Sequence, residues 1–371
     1  MGVPVWLLAL DFEPRGRSLY TLRLAERLPE HGFDPIILCS SASAIPTKLR
    51  DKLVVREEPY LTRPFFQHFV LRRLAKEYAS NPPALIHAQR RALYRQAARL
   101  ADYLSLPFLV TIHHVLSSVS ALGAITNRLA GVLAISPSIQ KDLLLKGVVP
   151  SEMIHIIPAG VDYTDQAVLE PPRDIDRVPI VCTAGALEPY KGLMYFLMAA
   201  EIILSSGQDA EFIITGTGPE EETLRRVAQH LDIANRVTFV NHTKEYRPII
   251  EMADIFVVTS LEQGLGTLML EAMAAGRPVV ATRVGGIADY LSDGDHALLV
   301  PTADPVMLAE KIQYLIDNPI RARKLAVNGQ QFVRNEFSVD KMAAKTAEFY
   351  RNVLKQEADR NVVTLPMKTE G

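Results

Sequence analysis

Cysteine is scarce in this chain, with two in 371 residues. Cys39 and Cys182 each sit in an apolar run, IILCS and PIVCTAG, and neither lies in a CxxC or other metal-ligand spacing. Spacing therefore gives a zinc site no support. Both thiols read as small buried hydrophobes, and so few of them fit a reducing, cytoplasmic compartment. A membrane-spanning run is also missing. VPVWLLAL near the start is too short to cross a bilayer, no basic stretch precedes it, and Asp11 follows at once. It reads as a first buried parallel strand rather than a signal peptide. There is no short-period repeat and no low-complexity tract. The turn TGTGPE at 215–220 contains GxG but not the GxGxxG of a dinucleotide fingerprint.

Net charge is small, −2, but it is divided unevenly. Residues 1–150 carry 19 Lys and Arg against 11 Asp and Glu, and the remainder carries 21 against 31, so +8 faces −10. Such a split hints at an anionic partner for the first half. The cations there cluster as Arg63, Arg72, Arg73 and Lys76, then Arg90, Arg91, Arg95 and Arg99. A solvated basic surface is the competing reading.

What is present is an alternation of apolar strand-like runs with helical patterns along the whole chain. That alternation predicts an α/β fold with doubly wound parallel sheets. The length exceeds what one core organises, so two domains are expected. The reading places a first domain at 1–165, a linker at 166–178 around Pro171 and Pro172, and a second domain at 179–338. A helix at 339–356 is expected to pack back toward the first domain, with a flexible tail over 357–371. In open parallel sheets ligands bind beyond the carboxyl ends of strands. Here those ends are polar or glycine-rich at Asp11–Ser18, His113–His114, Gly185–Lys191, Gly216–Pro219 and Ser260–Thr267.

The strongest local signal is DIFVVTSLEQGLGTLMLEAMAAGRPVVATRVGG, residues 254–286. A strand ends at Thr259, a loop carries Gly264 and Gly266, and a helix opens near Thr267, its buried face assigned to Leu268, Ala272 and Ala275. Free N–H groups and the helix dipole favour phosphate at such a junction, and the glycines let backbone approach it. Glu271, placed in the first helical turn, has either the geometry to accept two vicinal hydroxyls or a simple dipole-complementing role. In TAGALEPYKGL (183–193), Lys191 leads into another helix and can neutralise a diphosphate as a point charge.

On these residues the chain resembles the retaining glycosyltransferases of GT-B fold, specifically glycosyltransferase family 4. The similarity rests on SLEQGLGTLMLEAMAAGRPVVATRVGG, with IIPAGVD (156–162), ALEPYKG (186–192), FIITGTGPE (212–220), the loop around Gly16, LIHAQ around His87 and LVTIHH around His113. It implies two Rossmann-like domains facing a central cleft, and transfer from a nucleotide-diphosphate sugar with retention and no protein nucleophile. By resemblance Glu271 holds the nucleotide ribose. Gln263 and the backbone of Gly264, Leu265 and Gly266 contact the donor sugar, with Thr267 and Leu268 beside them. Lys191 meets the diphosphate, Gly16 and Gly216 line the donor site, and His113 lies near the transferring bond.

Three departures stand out. The first of the family's two glutamates is Gln263, with Glu262 one residue out of register; an expected arginine is Ala186; and the asparagine before Gly-Val-Asp is Ala159. No Asp-x-Asp occupies a suitable strand end, and the DGD containing Asp293 and Asp295 reads as a surface turn, so neither metal nor cofactor is expected. The acceptor is expected to be a glycan, a lipid-linked or a small molecule of the cell-envelope polysaccharide type. The basic half is compatible with peripheral contact at an anionic membrane, and nucleic acid has no recognisable module. A nucleotide-sugar epimerase of the same fold and a non-catalytic sugar-nucleotide-binding protein remain the alternatives.

Overall fold

The computed structural model describes residues 2–12, 17–114, 128–147, 149–162, 177–241 and 246–363. The chain forms two compact units. One comprises Met1–Pro158 together with Val339–Gly371, the other Ala159–Ser338.

The first unit runs β1 (Val3–Leu8), α1 (Arg17–Arg27), β2 (Phe33–Cys39), α2 (Thr47–Arg50), β3 (Val54–Glu57), α3 (Gln67–Glu77), β4 (Leu85–Ala88), α4 (Tyr94–Leu104), β5 (Phe108–Ile112), β6 (Leu129–Ala134), α5 (Pro137–Leu145) and β7 (Ile154–Ile156). Its strands form one parallel sheet in the order β3-β2-β1-β4-β5-β6-β7. Strands β4 and β5 are buried along their whole length. Burial along the whole strand is what a sheet covered on both faces requires, and the two polar residues inside it, His87 and Thr111, bond to each other.

The second unit runs β8 (Ile180–Ala184), α6 (Leu193–Ser205), β9 (Glu211–Thr215), α7 (Glu221–His230), β10 (Val237–Val240), α8 (Arg247–Met252), β11 (Ile255–Val258), α9 (Thr267–Ala274), β12 (Val279–Thr282), α10 (Gly285–Tyr290), β13 (Leu298–Val300), α11 (Pro305–Asp317) and α12 (Pro319–Glu336). The sheet is again all parallel, ordered β10-β9-β8-β11-β12-β13. Chain order reverses between β8 and β11, which makes that gap the switch point where ligands of doubly wound sheets bind. Its core centres on Phe196 and Phe212, packed edge to face with ring centroids 5.8 Å apart.

The last helix, α13 (Val339–Val363), belongs to the first unit. Tyr350 on it is fully buried, and its hydroxyl lies 2.6 Å from His87 Nδ1. The other ring nitrogen of His87 is 2.7 Å from Thr111 Oγ1, which ties α13 to β4 and β5. Helix α13 runs beyond the expected end at residue 356, because 357–363 contains further helix formers and an Arg360–Glu357 ion pair at 2.9 Å. The compact units divide at Pro158/Ala159, earlier than the expected boundary at 165. The Val161 amide donates to the Phe337 carbonyl at 2.8 Å, which draws this short segment into the second unit. The expected linker falls almost entirely on residues 163–176, outside the described residues. Among the described residues no helix is long and apolar enough to cross a membrane.

Candidate functional site

At the second unit's switch point, three strand-end loops are laced together through their backbones. The loop after β8 follows β9, since Gly185 N–H donates to the Thr215 carbonyl at 2.9 Å and Leu187 N–H to Thr217 at 3.0 Å. A Cβ on Gly216 would overlap the Gly185 carbonyl, so only glycine permits this approach. The same β8 loop meets the loop after β11. Leu261 N–H donates to the Tyr190 carbonyl at 2.8 Å, and Thr259 Oγ1 donates to the Lys191 carbonyl at 2.8 Å.

This lacing sets Lys191 beside the Gln263 loop, where its ammonium donates to Gln263 Oε1 at 2.9 Å. Lys191 is half-buried, and the loss of water around its ammonium pushes its pKa down from the usual lysine range to about 8. Its ammonium also lies 5.3 Å from the centroid of the Tyr190 ring. A carboxylate at 263 would supply compensating charge; the glutamine found there supplies only an acceptor. The glutamine's other end lies toward the helix, with Nε2 3.6 Å from where a Cβ on Gly266 would stand.

Gly266 (φ 87°, ψ 54°) is the residue that turns the loop into α9, and no side chain caps that helix start. The first amides of α9 therefore remain available to an anion. Gly264, Leu265 and Gly266 are buried, and Thr267 and Leu268 are half-buried. Gly286 holds the loop in shape by donating its N–H to the Gly264 carbonyl at 3.1 Å. A Cβ on Gly285 or Gly286 would collide with the carbonyl of Gln263 or Gly264. Sequence reasoning did not single these two glycines out as site residues. The signal was their place beside the glycine loop, in the VGG that ends its strongest motif.

Two local expectations are corrected. Helix α9 opens at Thr267 with no acid in its first turn, so half-buried Glu271 stands in the second, where the dipole acts less strongly. The buried face of α9 is Met269, Leu270, Ala272, Met273 and Ala274. Leu268 instead faces the β8 loop, its Cδ1 3.5 Å from where a Cβ on Gly185 would stand. The helix is nearly apolar all round and is covered from several sides, so a single-stripe pattern picked the wrong residue.

Among the sequence-derived residues, the second unit thus gathers Lys191, Gly216, Gln263, Gly264, Leu265, Gly266, Thr267, Leu268 and Glu271 around one set of strand ends. Glu262 is exposed. Asp293 serves its own turn, accepting from Leu299 N–H at 2.8 Å, and Asp295 accepts from Asn328 Nδ2 at 2.8 Å. His113 belongs to the first unit, just past the end of β5. It is buried, with its ring edge to face against Tyr20 at 5.0 Å, while His114 is exposed. His87 is a core residue, and burial pushes its pKa down to about 3, so the ring is neutral. Gly16, with the loop 13–16, lies outside the described residues.

Family comparison meets this geometry at both units. The model described as Glycosyltransferase Family 4 matches residues 14–165, and the one described as Glycosyl transferases group 1 matches residues 178–318. The chain belongs to glycosyltransferase family 4. It is 27% identical to an alpha-D-kanosaminyltransferase of Streptomyces kanamyceticus, over 60% of this chain and 61% of that protein. It is 31% identical to an alpha-maltose-1-phosphate synthase of Mycolicibacterium smegmatis, over 60% and 63%. The similarity therefore spans about three fifths of these curated relatives. Among solved structures, Anabaena HepE in complex with UDP and glucose superposes with a TM-score of 0.80 at 21% identity, covering 94% of this chain and 100% of that one. Sucrose-phosphate synthase from Thermosynechococcus elongatus gives 0.78 at 21% identity, over 95% and 100%. The shared fold is that of the GT-B glycosyltransferases.

Proposed function

We propose that this protein is a retaining glycosyltransferase that moves a sugar from a nucleoside-diphosphate sugar to a glycan, lipid-linked or small-molecule acceptor in the cytoplasm. The observation that carries the reading is the Lys191 ammonium, held 2.9 Å from Gln263 beside the uncapped start of α9. A poorly solvated cation and a row of free helix amides around one loop form a receptor for a diphosphate. A UDP-and-glucose complex of a protein sharing this fold supports the nucleoside-diphosphate sugar as the ligand class.

Breaking the bond from sugar to diphosphate leaves negative charge on the departing phosphate oxygens. Fixed positive groups lower the barrier when they already point at that charge. Lys191 and the amides following Gly266 fill this role without requiring a metal. Gln263 contributes an amide able to hydrogen-bond sugar hydroxyls, and Glu271 a carboxylate for the ribose hydroxyls. His113 is given a part in transfer rather than in donor binding. Accordingly, His113→Ala should lower kcat and leave nucleoside-diphosphate affinity unchanged.

The test is thermal stabilisation by UDP, GDP, ADP and their sugar conjugates, followed by nucleotide release in the presence of acceptors. Ligand binding to the native state raises stability with occupancy. Stabilisation by one nucleotide sugar, with acceptor-dependent release of its nucleotide, is expected. Free epimerised sugar nucleotide without acceptor, or tight binding with no turnover on any acceptor, would overturn the assignment.

A further inference from the structure

We propose that Tyr20 of α1 is a positioning residue for sugar transfer: its ring fixes the His113 imidazole, and β5 and α13 fix the ring. This rests on the transfer role given to His113 and names the side chain that holds His113 in place.

Tyr20 is 2% exposed and His113 8%, and their rings meet edge to face, with centroids 5.0 Å apart and planes at 85°. Aromatic rings favour this arrangement because the positive edge of one faces the negative face of the other. His113 follows the last residue of β5, where the strand's ladder ends. An imidazole there can turn about two side-chain torsions, and a perpendicular ring packed against it restricts both.

Tyr20 is itself held. Thr111 and His113 are two residues apart, so both stand on one face of the strand. The phenol spans them, with its ring at His113 and its hydroxyl end buried near Thr111 of β5 and Thr346 of α13. Each threonine is fixed by a bond of its own. Thr111 Oγ1 is 2.7 Å from His87 Nε2, and the Thr346 hydroxyl donates to the Met342 carbonyl at 2.8 Å. The Thr346 oxygen keeps acceptor capacity for a neighbouring donor. Burial pushes the Tyr20 pKa up to about 12, so the phenol keeps its proton.

The choice of side chain points the same way. Leu22, Leu24 and Ala25 are further buried residues of α1. A buried hydroxyl costs stability unless a partner accepts from it, so leucine at 20 would serve packing at least as well. Leucine lacks a flat face to set against an imidazole and a hydroxyl end for β5 and α13 to hold. A reacting group must be kept within about 0.5 Å of its working geometry by the residues around it. Through Tyr20, the docking of α13 bears on the ring at the end of β5.

Nuclear magnetic resonance of the full chain with carbon-13-labelled histidine tests the positioning and needs no donor. H113A identifies the His113 signal. The parent should give one sharp signal and Y20L a broadened or split one. Y20F keeps the ring without its hold at the hydroxyl and should lie between them. Thermal unfolding reports whether each variant is folded. Nucleotide release from UDP-glucose, GDP-mannose and ADP-glucose supplies the second readout. Y20L should lower kcat at least ~10-fold and leave KM for the donor unchanged. In an H113A background Y20L should cost nothing further, because it acts through that ring. F108L removes a buried ring at the other end of β5; it should lower Tm and leave kcat and the His113 signal as in the parent. An unaltered His113 signal or full kcat in Y20L, equal losses from Y20L with and without His113, or a Y20F chain matching the parent in both readouts would overturn the proposal. Full kcat in H113A would instead strike the transfer role itself, and the positioning role falls with it.

Discussion

Lys191 is the residue on which chemistry and titration meet. Its pKa is pushed down to about 8, so its charged form is destabilised in the fold and predominates only below that pH. Affinity for a nucleoside diphosphate should therefore fall as pH rises through about 8, and binding near that pH should take up a proton, as calorimetry in buffers of different ionisation heat will show. The same shift affects folding. Between about 8 and the ordinary lysine value the unfolded chain holds more protons than the native one, so this group's contribution makes stability rise with pH across that window. Gln263 tunes the effect. Q263E places a carboxylate against the ammonium, which should move the inflection in nucleotide binding to higher pH. An unmoved inflection would separate Lys191 from the diphosphate. The 2.9 Å contact between Lys191 and Gln263 was not legible in the sequence, because 72 positions separate them and only the lacing of two loops joins them.

Elements were the most legible level, and for a physical reason. Buried parallel strands such as FLVTI and IFVV are almost wholly apolar, and helices between them carry a clear period. What escaped was short or covered on all sides. Helix α2 has four residues, too few for a period, and α9 is almost uniformly apolar, so Leu268 was assigned to the wrong side. The sequence reads the β11–α9 loop as a candidate phosphate receptor from Gly264 and Gly266, but the brace of that loop lies on α10. G286A would push a methyl group into the Gly264 carbonyl. Overpacking of this kind costs about 1–3 kcal/mol, so a lower Tm together with weaker nucleotide binding is expected. Full affinity in G286A would show that the loop's shape is not set there.

On the scale of the whole molecule, the chain leaves the first unit after Pro158 and returns to it at Val339. The basic and acidic halves read from composition follow only part of this division, since α13 lies in the second half of the sequence and belongs to the first unit. His87 shows the consequence. Its partner Tyr350 is 263 positions away, so LIHAQ could be recognised as a landmark but not as an anchor for the last helix. Tyr350→Phe removes a hydrogen-bond partner from a fully buried imidazole. It should cost about 1–3 kcal/mol, read in denaturant unfolding. Acid should act at the same place. The buried ring titrates at about 3 instead of near 6.5, so its contribution is complete above 6.5 and is lost as pH falls toward 3. Hydrogen exchange at falling pH should open β4, β5 and α13 together, and independent opening of α13 would contradict the anchor.

The central claim is that the Lys191 ammonium and the first amides of α9 receive a diphosphate. Calorimetric titration of UDP, GDP and ADP into the parent chain and into Lys191→Ala, with the matching monophosphates alongside, tests it most directly. Hydrogen bonds to charged groups contribute about 1.5–3 kcal/mol, so one diphosphate should bind the parent roughly ten- to hundred-fold tighter than the variant, with a smaller change for its monophosphate. Equal affinity in parent and variant, or no binding of any nucleoside diphosphate, would contradict the account.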